Sequence, residues 1–246
     1  IDLSAKPFYL DKEGQDWVKS TLESMSDDEK LQQLFVNMPA NFDPEYLKDM
    51  VTTQKYGGMR YPNAPSKIIR GAIEVLQQNS RIPLIVASNT EAGGNGACAD
   101  GTEVGVQVKI AATGDKKYAY EMGKIAGIEA KAVGCNCCCA PIVDINMNWR
   151  NPIISSRAFS SDADKVLELS KEYMRGFWES GGACVMKHFP GDGVDERDQH
   201  LSASVNTLSI SKWKKTFGKV YKGMIRAGVQ GVMAGHIMFP AYQKSK

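Results

Sequence analysis

The sequence lacks several features that would place the protein in a specialised class. No apolar run approaches the roughly 20 residues that span a bilayer, so no transmembrane helix and no membrane partner are predicted. An excess of one charge is also missing. Thirty basic residues face 28 acidic ones without any basic stripe, which disfavours a nucleic-acid partner. With 246 residues, 43% of them hydrophobic, the chain is long enough for one large domain or two small ones. A single α/β barrel commonly reaches this size, and one domain over residues 1–246 is predicted.

Cysteine is the residue whose distribution is most uneven. Six cysteines are present, and four of them crowd into one apolar segment at Cys135, Cys137, Cys138 and Cys139. Such crowding favours buried, reduced thiols over a disulfide framework and predicts a cytoplasmic protein, although a removed signal peptide remains compatible with the sequence. Adjacent residues of a strand point to opposite faces, so a metal site at these cysteines is disfavoured. No cofactor is predicted.

Short apolar runs alternate with amphipathic stretches along the chain. Six runs predict strands, and they lack polar/apolar alternation, as expected of a parallel sheet that is covered on both faces. The runs are LFVNM, YGGMRYP, IPLIVAS, CNCCCAPIVDI, ACVMKHFP and GVMAGHIMFP. Helical spacing of apolar residues predicts helices around 68–76, 115–132, 166–177 and 213–224, and a capping-box pair, Ser26 and Glu29, begins the first helix after an N-terminal arm.

Polar side chains stand at or near the carboxyl ends of the predicted strands, namely Asn89, Asp144, Lys187, His188 and His236. A barrel gathers its strand ends around one mouth, whereas an open doubly wound sheet collects ligand groups at one crevice. We therefore predict an α/β fold, a (β/α)8 barrel of the TIM type. Only about six of its eight strands are found, so either two strands go unrecognised or the chain stops before the seventh strand.

The densest group of chemically active side chains lies in VMKHFPGDGVDERDQH. Asp198 and His200 are two residues apart, which in an extended segment places both side chains on one side. A carboxylate beside an imidazole fixes its tautomer and stabilises the imidazolium, so the pair can act as general acid and then as general base. For an Asp-x-His pair alone, a solvated loop is the more common interpretation.

Longer motifs favour the catalytic interpretation of this pair over a solvated loop. The loop resembles the pattern K-H-F-P-G-[HD]-G followed by D-S-H, which is typical of the bacterial β-N-acetylglucosaminidase branch of glycoside hydrolase family 3. SDDEKLQQLF, IPLIVASNTEAGG, CAPIVDINMNWRNPIISSRAFSSD and GVMAGHIMFPAY resemble other segments of the family, in the same order. The resemblance extends from about Ser26 to the end of the chain.

The resemblance implies a role for each matching residue. His200 is expected to be the catalytic proton donor and acceptor, with Asp198 orienting it. The substrate-binding group is expected to comprise Lys187, His188, Arg157, Asn89, Asp144 and His236, of which Asp144 and His236 shape the pocket. A salt-bridged core lysine is the alternative for Lys187. A satisfied core histidine is an alternative for His188 and an equal alternative for His236.

The chain departs from the family pattern at several points. Asn89 stands where the family has an aspartate, and the arginine that usually follows has no counterpart in GGNGACADG, which offers only Asn95 and Cys98. Gln199 replaces the serine inside the dyad, a lesser change if its side chain points away. The nucleophilic aspartate of the family, in a segment like V-V-S-D after the seventh strand, has no equivalent after Tyr242.

The resemblance implies a retaining exo-β-N-acetylglucosaminidase whose substrate is a carbohydrate and whose barrel is completed by the rest of the parent chain. The fragment alone is expected to be inactive because it lacks the nucleophile. A family 3 β-glucosidase or glycoside phosphorylase is the first alternative, prompted by Asn89 and the missing arginine. A non-catalytic carbohydrate-binding barrel is the second.

Overall fold

A computed structural model describes residues 1–5 and 8–243 of the chain, and its centre is one parallel sheet. The strands are β1 (Val36–Asn37), β2 (Gly58–Arg60), β3 (Ile85–Ser88), β4 (Cys137–Cys138), β5 (Ala183–Phe189), β6 (Ser204–Val205), β7 (Gly231–Ala234) and β8 (Ile237–Met238). The order across the sheet is β1-β2-β3-β4-β5-β7, which follows the chain, while β6 and β8 form a separate parallel pair. Strands laid down in chain order, all parallel, are the arrangement of a barrel wall. The predicted fold class and its six strands are confirmed.

Helices separate the strands. They are α1 (Lys12–Ser24), α2 (Asp27–Gln32), α3 (Pro44–Thr52), α4 (Ser66–Asn79), α5 (Gln107–Ala112), α6 (Lys117–Val133), α7 (Ala163–Trp178), α8 (Ile210–Lys215) and α9 (Phe217–Ala227), with a 3-10 turn at Gly94–Gly96. The capping box at Ser26 is formed and begins α2. Helices α1, α3 and α5 were not predicted, and the stripe at 213–224 is divided at Thr216 into two helices.

The closest packing in the outer layer joins α6 to α7. A Cβ added to Gly123 would lie 2.0 Å from the carbonyl oxygen of Tyr173, and one added to Gly176 would lie 2.1 Å from that of Tyr120. The two helix backbones therefore touch directly, which only glycine permits. This contact fixes the two helices that flank β4 and β5, the strands that lead into the candidate site.

The cysteine-rich segment forms β4 and its flanks, and its side chains alternate as predicted. Cys138 belongs to the main core between sheet and helices, whereas Cys137 and Cys139 pack with Ala87 on the other face. All six cysteines of the chain are buried free thiols. Burial raises the pKa of Cys137 to about 12, so that thiol stays protonated. Among the described residues, no cluster of three potential metal ligands occurs.

Within residues 1–5 and 8–243 the sheet does not close, because β1 pairs only with β2 and β7 pairs only with β5. The concave face contains a hollow of about 660 Å³ lined mainly by strand residues, including Val36, Ile85, Cys139, Val185 and Met233. Ile85, a strand residue, is 53% exposed there. None of the helices in the described part of the chain is both long enough and apolar enough to cross a bilayer.

These open edges and this apolar face lead to an expected behaviour in solution. We expect residues 1–246, expressed alone, to aggregate or to form oligomers, because unpaired strand edges and exposed apolar surface promote association. Size-exclusion chromatography with light scattering measures this directly. A stable monomer over a wide concentration range would contradict the expectation.

Candidate active site

The polar residues predicted to lie together do so at the carboxyl end of the sheet. Asn89 follows β3 directly, and Asp144 follows β4 after an irregular segment. Lys187 and His188 lie near the carboxyl end of β5. The peptide bonds before His188 and before Pro190 are both cis. Because parallel strands end at one edge, this rim is where a barrel builds its active site.

Asp144 lies behind His188 and is completely buried. Its Oδ2 is 2.6 Å from His188 Nδ1, and it also accepts the backbone N–H of His188 at 3.2 Å and that of Asp192 at 2.8 Å. The contact at Nδ1 fixes the ring and leaves Nε2 as the nitrogen with hydrogen-bonding capacity to spare. Asp144 thus holds His188 and the start of the following loop, and a direct contact between Asp144 and a sugar stays a prediction.

Glu91 joins two of the predicted sugar-binding residues, and sequence reasoning missed it. Its carboxylate binds Arg157 in a two-pronged manner, at 2.9 and 2.8 Å, and forms an ion pair with Lys187. Burial alone raises the pKa of the Glu91 carboxyl, but Arg157 and Lys187 outweigh burial and lower it overall. The lysine ammonium has three donors, so a salt bridge to Glu91 leaves capacity for a substrate hydroxyl.

Lys187 therefore does form the salt bridge that the alternative interpretation expected, and its role in binding a sugar stays a prediction. Its side chain is only 4% exposed. The motif that contains Glu91, NTEAGG, was recognised as part of the third-strand segment, but nothing in it indicated which cations the glutamate would meet. That pairing depends on β3 and β5 ending at the same rim.

The loop after β5, residues 190–203, carries the predicted dyad. His200 Nδ1 is 2.7 Å from Asp198 Oδ1, and the same oxygen accepts the His200 backbone N–H at 2.8 Å. The expectation of an extended segment is wrong: the N–H groups of Leu201 and Ser202 bond to the carbonyl of Asp198, so a turn brings the pair together. These hydrogen bonds from His200 lower the pKa of Asp198. The His200 side chain is 62% exposed, with a water-facing ring suited to proton exchange.

Gln199, between the two dyad residues, is buried to 6% exposure. Its Nε2 donates to Asp192 Oδ2 at 2.7 Å, and its Oε1 accepts the backbone N–H of His236 at 3.0 Å. Its side chain does lie away from the dyad contact, but it makes two defined hydrogen bonds. His236 itself is exposed, and its position after β7 is at the open edge of the sheet, so the choice between a pocket residue and a core histidine stays a prediction.

Asn89, Asn95 and Cys98, which stand near the positions of the family's aspartate and arginine, supply no charged group. Asn89 is partly buried, and its side-chain amide makes no hydrogen bond within the described residues. Cys98 is buried, and burial with Asp100 nearby raises the pKa of its thiol to about 11. Asn95 has a buried Oδ1 without a partner in the described part of the chain. None of the three side chains replaces the arginine of the family pattern.

The chain matches the family model "Glycosyl hydrolase family 3 N terminal domain" over residues 26–246. It is 43% identical to a β-N-acetylglucosaminidase/β-glucosidase of Cellulomonas fimi, over all of this chain and 43% of that protein. Among solved structures, a β-glucoside phosphorylase bound to 2FGlc is 41% identical with a TM-score of 0.91, covering 97% of this chain and 43% of that one.

A family 3 β-N-acetylglucosaminidase from Paenibacillus sp. is 29% identical with a TM-score of 0.82, covering 91% of this chain and 44% of that one. The chain thus spans less than half the length of each of these relatives. The family match covers nearly nine tenths of the chain and includes every residue of the site. The chain therefore belongs to glycosyl hydrolase family 3, as its N-terminal domain.

Proposed function

We propose that the protein expressed from its complete gene hydrolyses terminal non-reducing β-N-acetylglucosaminides with retention of configuration. The contact between His200 Nδ1 and Asp198 Oδ1, at 2.7 Å, carries this proposal. With Nδ1 held by a carboxylate, the other ring nitrogen is the one that exchanges a proton, and the carboxylate stabilises the imidazolium. Lys187, His188 and Arg157 would bind the hydroxyls of the terminal sugar.

The chemistry follows from one acid/base group and one nucleophile. In the first step His200 gives the proton on Nε2 to the glycosidic oxygen as its bond to the anomeric carbon breaks, and an aspartate carboxylate bonds to that carbon. In the second step neutral His200 takes a proton from water, whose oxygen attacks the anomeric carbon and releases the aspartate. Histidine returns to its starting state, and the product keeps its configuration after two inversions.

The nucleophile is proposed to come from a segment of the parent protein that follows Lys246. It would lie after a seventh barrel strand that pairs with the open edge of β7, the sixth strand of the wall. The remainder of the parent chain would then cover the apolar concave face and complete the barrel. Relatives more than twice as long as this chain support this arrangement.

Turnover of nitrophenyl N-acetylglucosaminide by the complete gene product tests the proposal. We expect release of nitrophenol well above background, with the β-anomer as first product by NMR. An inactive wild-type protein would refute the enzymatic proposal, and if it still bound N-acetylglucosamine, a non-catalytic carbohydrate-binding barrel would be favoured. An α-anomer as first product would refute retention.

A second candidate is a β-glucosidase or glycoside phosphorylase. It is favoured by Asn89 in place of the family aspartate and by the 41% identity to a β-glucoside phosphorylase. A histidine acid/base group carries less negative charge than a carboxylate, so phosphate meets less repulsion when it takes the glycosyl group from the aspartate. Turnover rates of nitrophenyl glucoside and nitrophenyl N-acetylglucosaminide, each measured in phosphate and in a phosphate-free buffer, distinguish the two candidates. Formation of a glycosyl phosphate would identify a phosphorylase.

A further inference from the structure

The loop that carries the dyad is tied to the barrel at one unusual point. His200 and Gln199 are neighbours, yet the histidine side chain is 62% exposed while Gln199 is 6% exposed. The chain here buries the side chain of Gln199 and exposes that of the following residue to solvent. A buried amide must find partners for both of its ends, and Gln199 does so.

The two ends of the amide join different parts of the fold. Nε2 donates to Asp192 Oδ2, at the root of the loop, and Oε1 accepts from the backbone of His236, between β7 and β8. A Cβ added to Gly235 would lie 2.7 Å from that Oε1. Because Gly235 has no side chain, the amide of Gln199 can approach the backbone that follows β7.

Asp192 is itself held rigidly. It is 1% exposed, its Oδ1 accepts from Asn151 Nδ2 at 2.8 Å, and its backbone N–H donates to Asp144 at 2.8 Å. Burial and the nearby Asp144 carboxylate raise the pKa of Asp192, and hydrogen bonds from the Gly193 backbone and the Asn151 amide offset part of that rise. The same buried network thus holds His188 on one side and Gln199 on the other.

The rest of the loop tip is tied less firmly. Among the described residues, the side-chain hydrogen bonds of segment 197–203 other than those of Gln199 are those of Arg197 with Asp195 and those between Asp198 and His200. Arg197 is on the surface, with 49% of its side chain exposed. Gln199 is therefore the one side chain of this segment that joins the tip to the buried network.

We infer that Gln199 is a positioning residue for the acid/base histidine: its amide, held between Asp192 and the His236 backbone, sets the place of His200 at the mouth. The inference rests on the proposed function for its catalytic consequence. The position of the loop itself does not depend on that function. A displacement of about 1 Å in a reacting group can cost on the order of 100-fold in rate, so a small movement of the tip is sufficient to matter.

Removal of the amide gives the first test, in the complete gene product. We expect Gln199→Ala to lower kcat for nitrophenyl N-acetylglucosaminide by roughly 10- to 100-fold, with KM changed by less than about threefold, because the sugar-binding groups stay in place. Leu201→Ala is the matched control: Leu201 is in the same turn beside His200 and is 86% exposed. The control should keep the wild-type kcat.

An exchange of the two partners separates positioning from simple damage. Gln199→Glu places a second carboxyl against Asp192, so the contact between residues 199 and 192 should break at neutral pH. It should form again as the pH falls, when the two carboxyls share a proton that one oxygen donates to the other. Asp192→Asn combined with Gln199→Glu restores one donor and one acceptor. We expect the kcat of this double variant at pH 7 to be at least tenfold higher than that of Gln199→Glu alone.

A readout independent of activity distinguishes the failure of this inference from that of the proposed function. Trypsin cleavage after Arg197 reports opening of the tip; we expect it to be several-fold faster in Gln199→Ala and near wild type in the double variant and in Leu201→Ala. If the wild type has no activity, the proteolysis result alone decides the anchoring. If Gln199→Ala keeps full kcat, or if the double variant recovers neither activity nor resistance to trypsin, the inference is wrong.

Discussion

Replacing His200 by alanine is expected to lower kcat/KM for nitrophenyl N-acetylglucosaminide by about 10²- to 10⁴-fold, the usual contribution of a general acid or base. The loss should occur in kcat, because no sugar-binding group is removed. Stability should hardly change, since the His200 side chain is 62% exposed and, within residues 1–5 and 8–243, hydrogen-bonds only to Asp198. Steady-state kinetics and thermal unfolding of the complete gene product measure both quantities.

The leaving group offers an internal control for this variant. The dinitrophenolate of a dinitrophenyl glycoside leaves without much help from an acid. Cleavage of this substrate in the first step should therefore be slowed far less by His200→Ala than cleavage of an alkyl glycoside. Asp198→Asn should lie between the wild type and His200→Ala, because the imidazole remains but its tautomer and charge are no longer supported. A full kcat in His200→Ala with both kinds of substrate would assign the acid/base role elsewhere.

Replacing Glu91 by alanine is expected to have the largest effect on stability. The change leaves Lys187, whose side chain is 4% exposed, without its anion and removes both hydrogen bonds from Arg157. Breaking a buried ion pair on one side costs about 3 kcal/mol or more. Urea denaturation of the complete gene product should show this loss, together with a large rise in KM, because both cations are proposed to bind the sugar.

Glu172 provides a matched control for Glu91. Its side chain is 20% exposed against 17% for Glu91, and it pairs with Arg175, but that arginine is 59% exposed. A surface pair of this kind contributes less than about 1 kcal/mol, so Glu172→Ala should scarcely move the denaturation midpoint. Equal losses in the two variants would mean that the burial of Lys187 does not determine the effect.

The Glu91 carboxyl also predicts a dependence on pH. Its pKa is lowered in the fold from the ordinary value of 4.5, so it stabilises the native state above that value. The contribution is lost as the pH falls below about 4.5 and through the lowered pKa. The wild type should therefore lose stability in acid more steeply than Glu91→Gln, which has no such carboxyl to protonate.

The positions of the strands and the composition of the loop follow from sequence pattern alone. Apolar runs without alternation marked all six strands of the sheet, because a parallel strand is buried on both faces. Helix α2 was predictable from the reciprocal hydrogen bonds of Ser26 and Glu29, which need only neighbouring residues. Local spacing likewise indicated that Asp198 and His200 would pair, although the turn that pairs them was not foreseen.

Helices α1, α3 and α5 show where pattern reasoning failed. Trp17, Val18 and Leu22 of α1 recur at helical spacing, but no residue of this helix is buried, so the pattern is short and does not mark a core face. Helix α5 has six residues, fewer than two turns, which is too short for a period to be recognised. The break at Thr216 within the 213–224 stripe leaves the apolar spacing intact on both sides, and spacing alone therefore predicts one helix.

The sequence by itself determined which residue types the family motifs contain, and hence the proposed acid/base pair and the cations near the strand ends. Only the tertiary structure decided how they are held. Glu91 meets Lys187 across 96 positions of chain, and Gln199 meets the backbone of His236 across 37. Such contacts depend on β3, β5 and β7 ending at one rim, and no local pattern encodes a distance between separate strands. The positions of charge and hydrogen-bond donors at this mouth are therefore properties of the folded barrel wall.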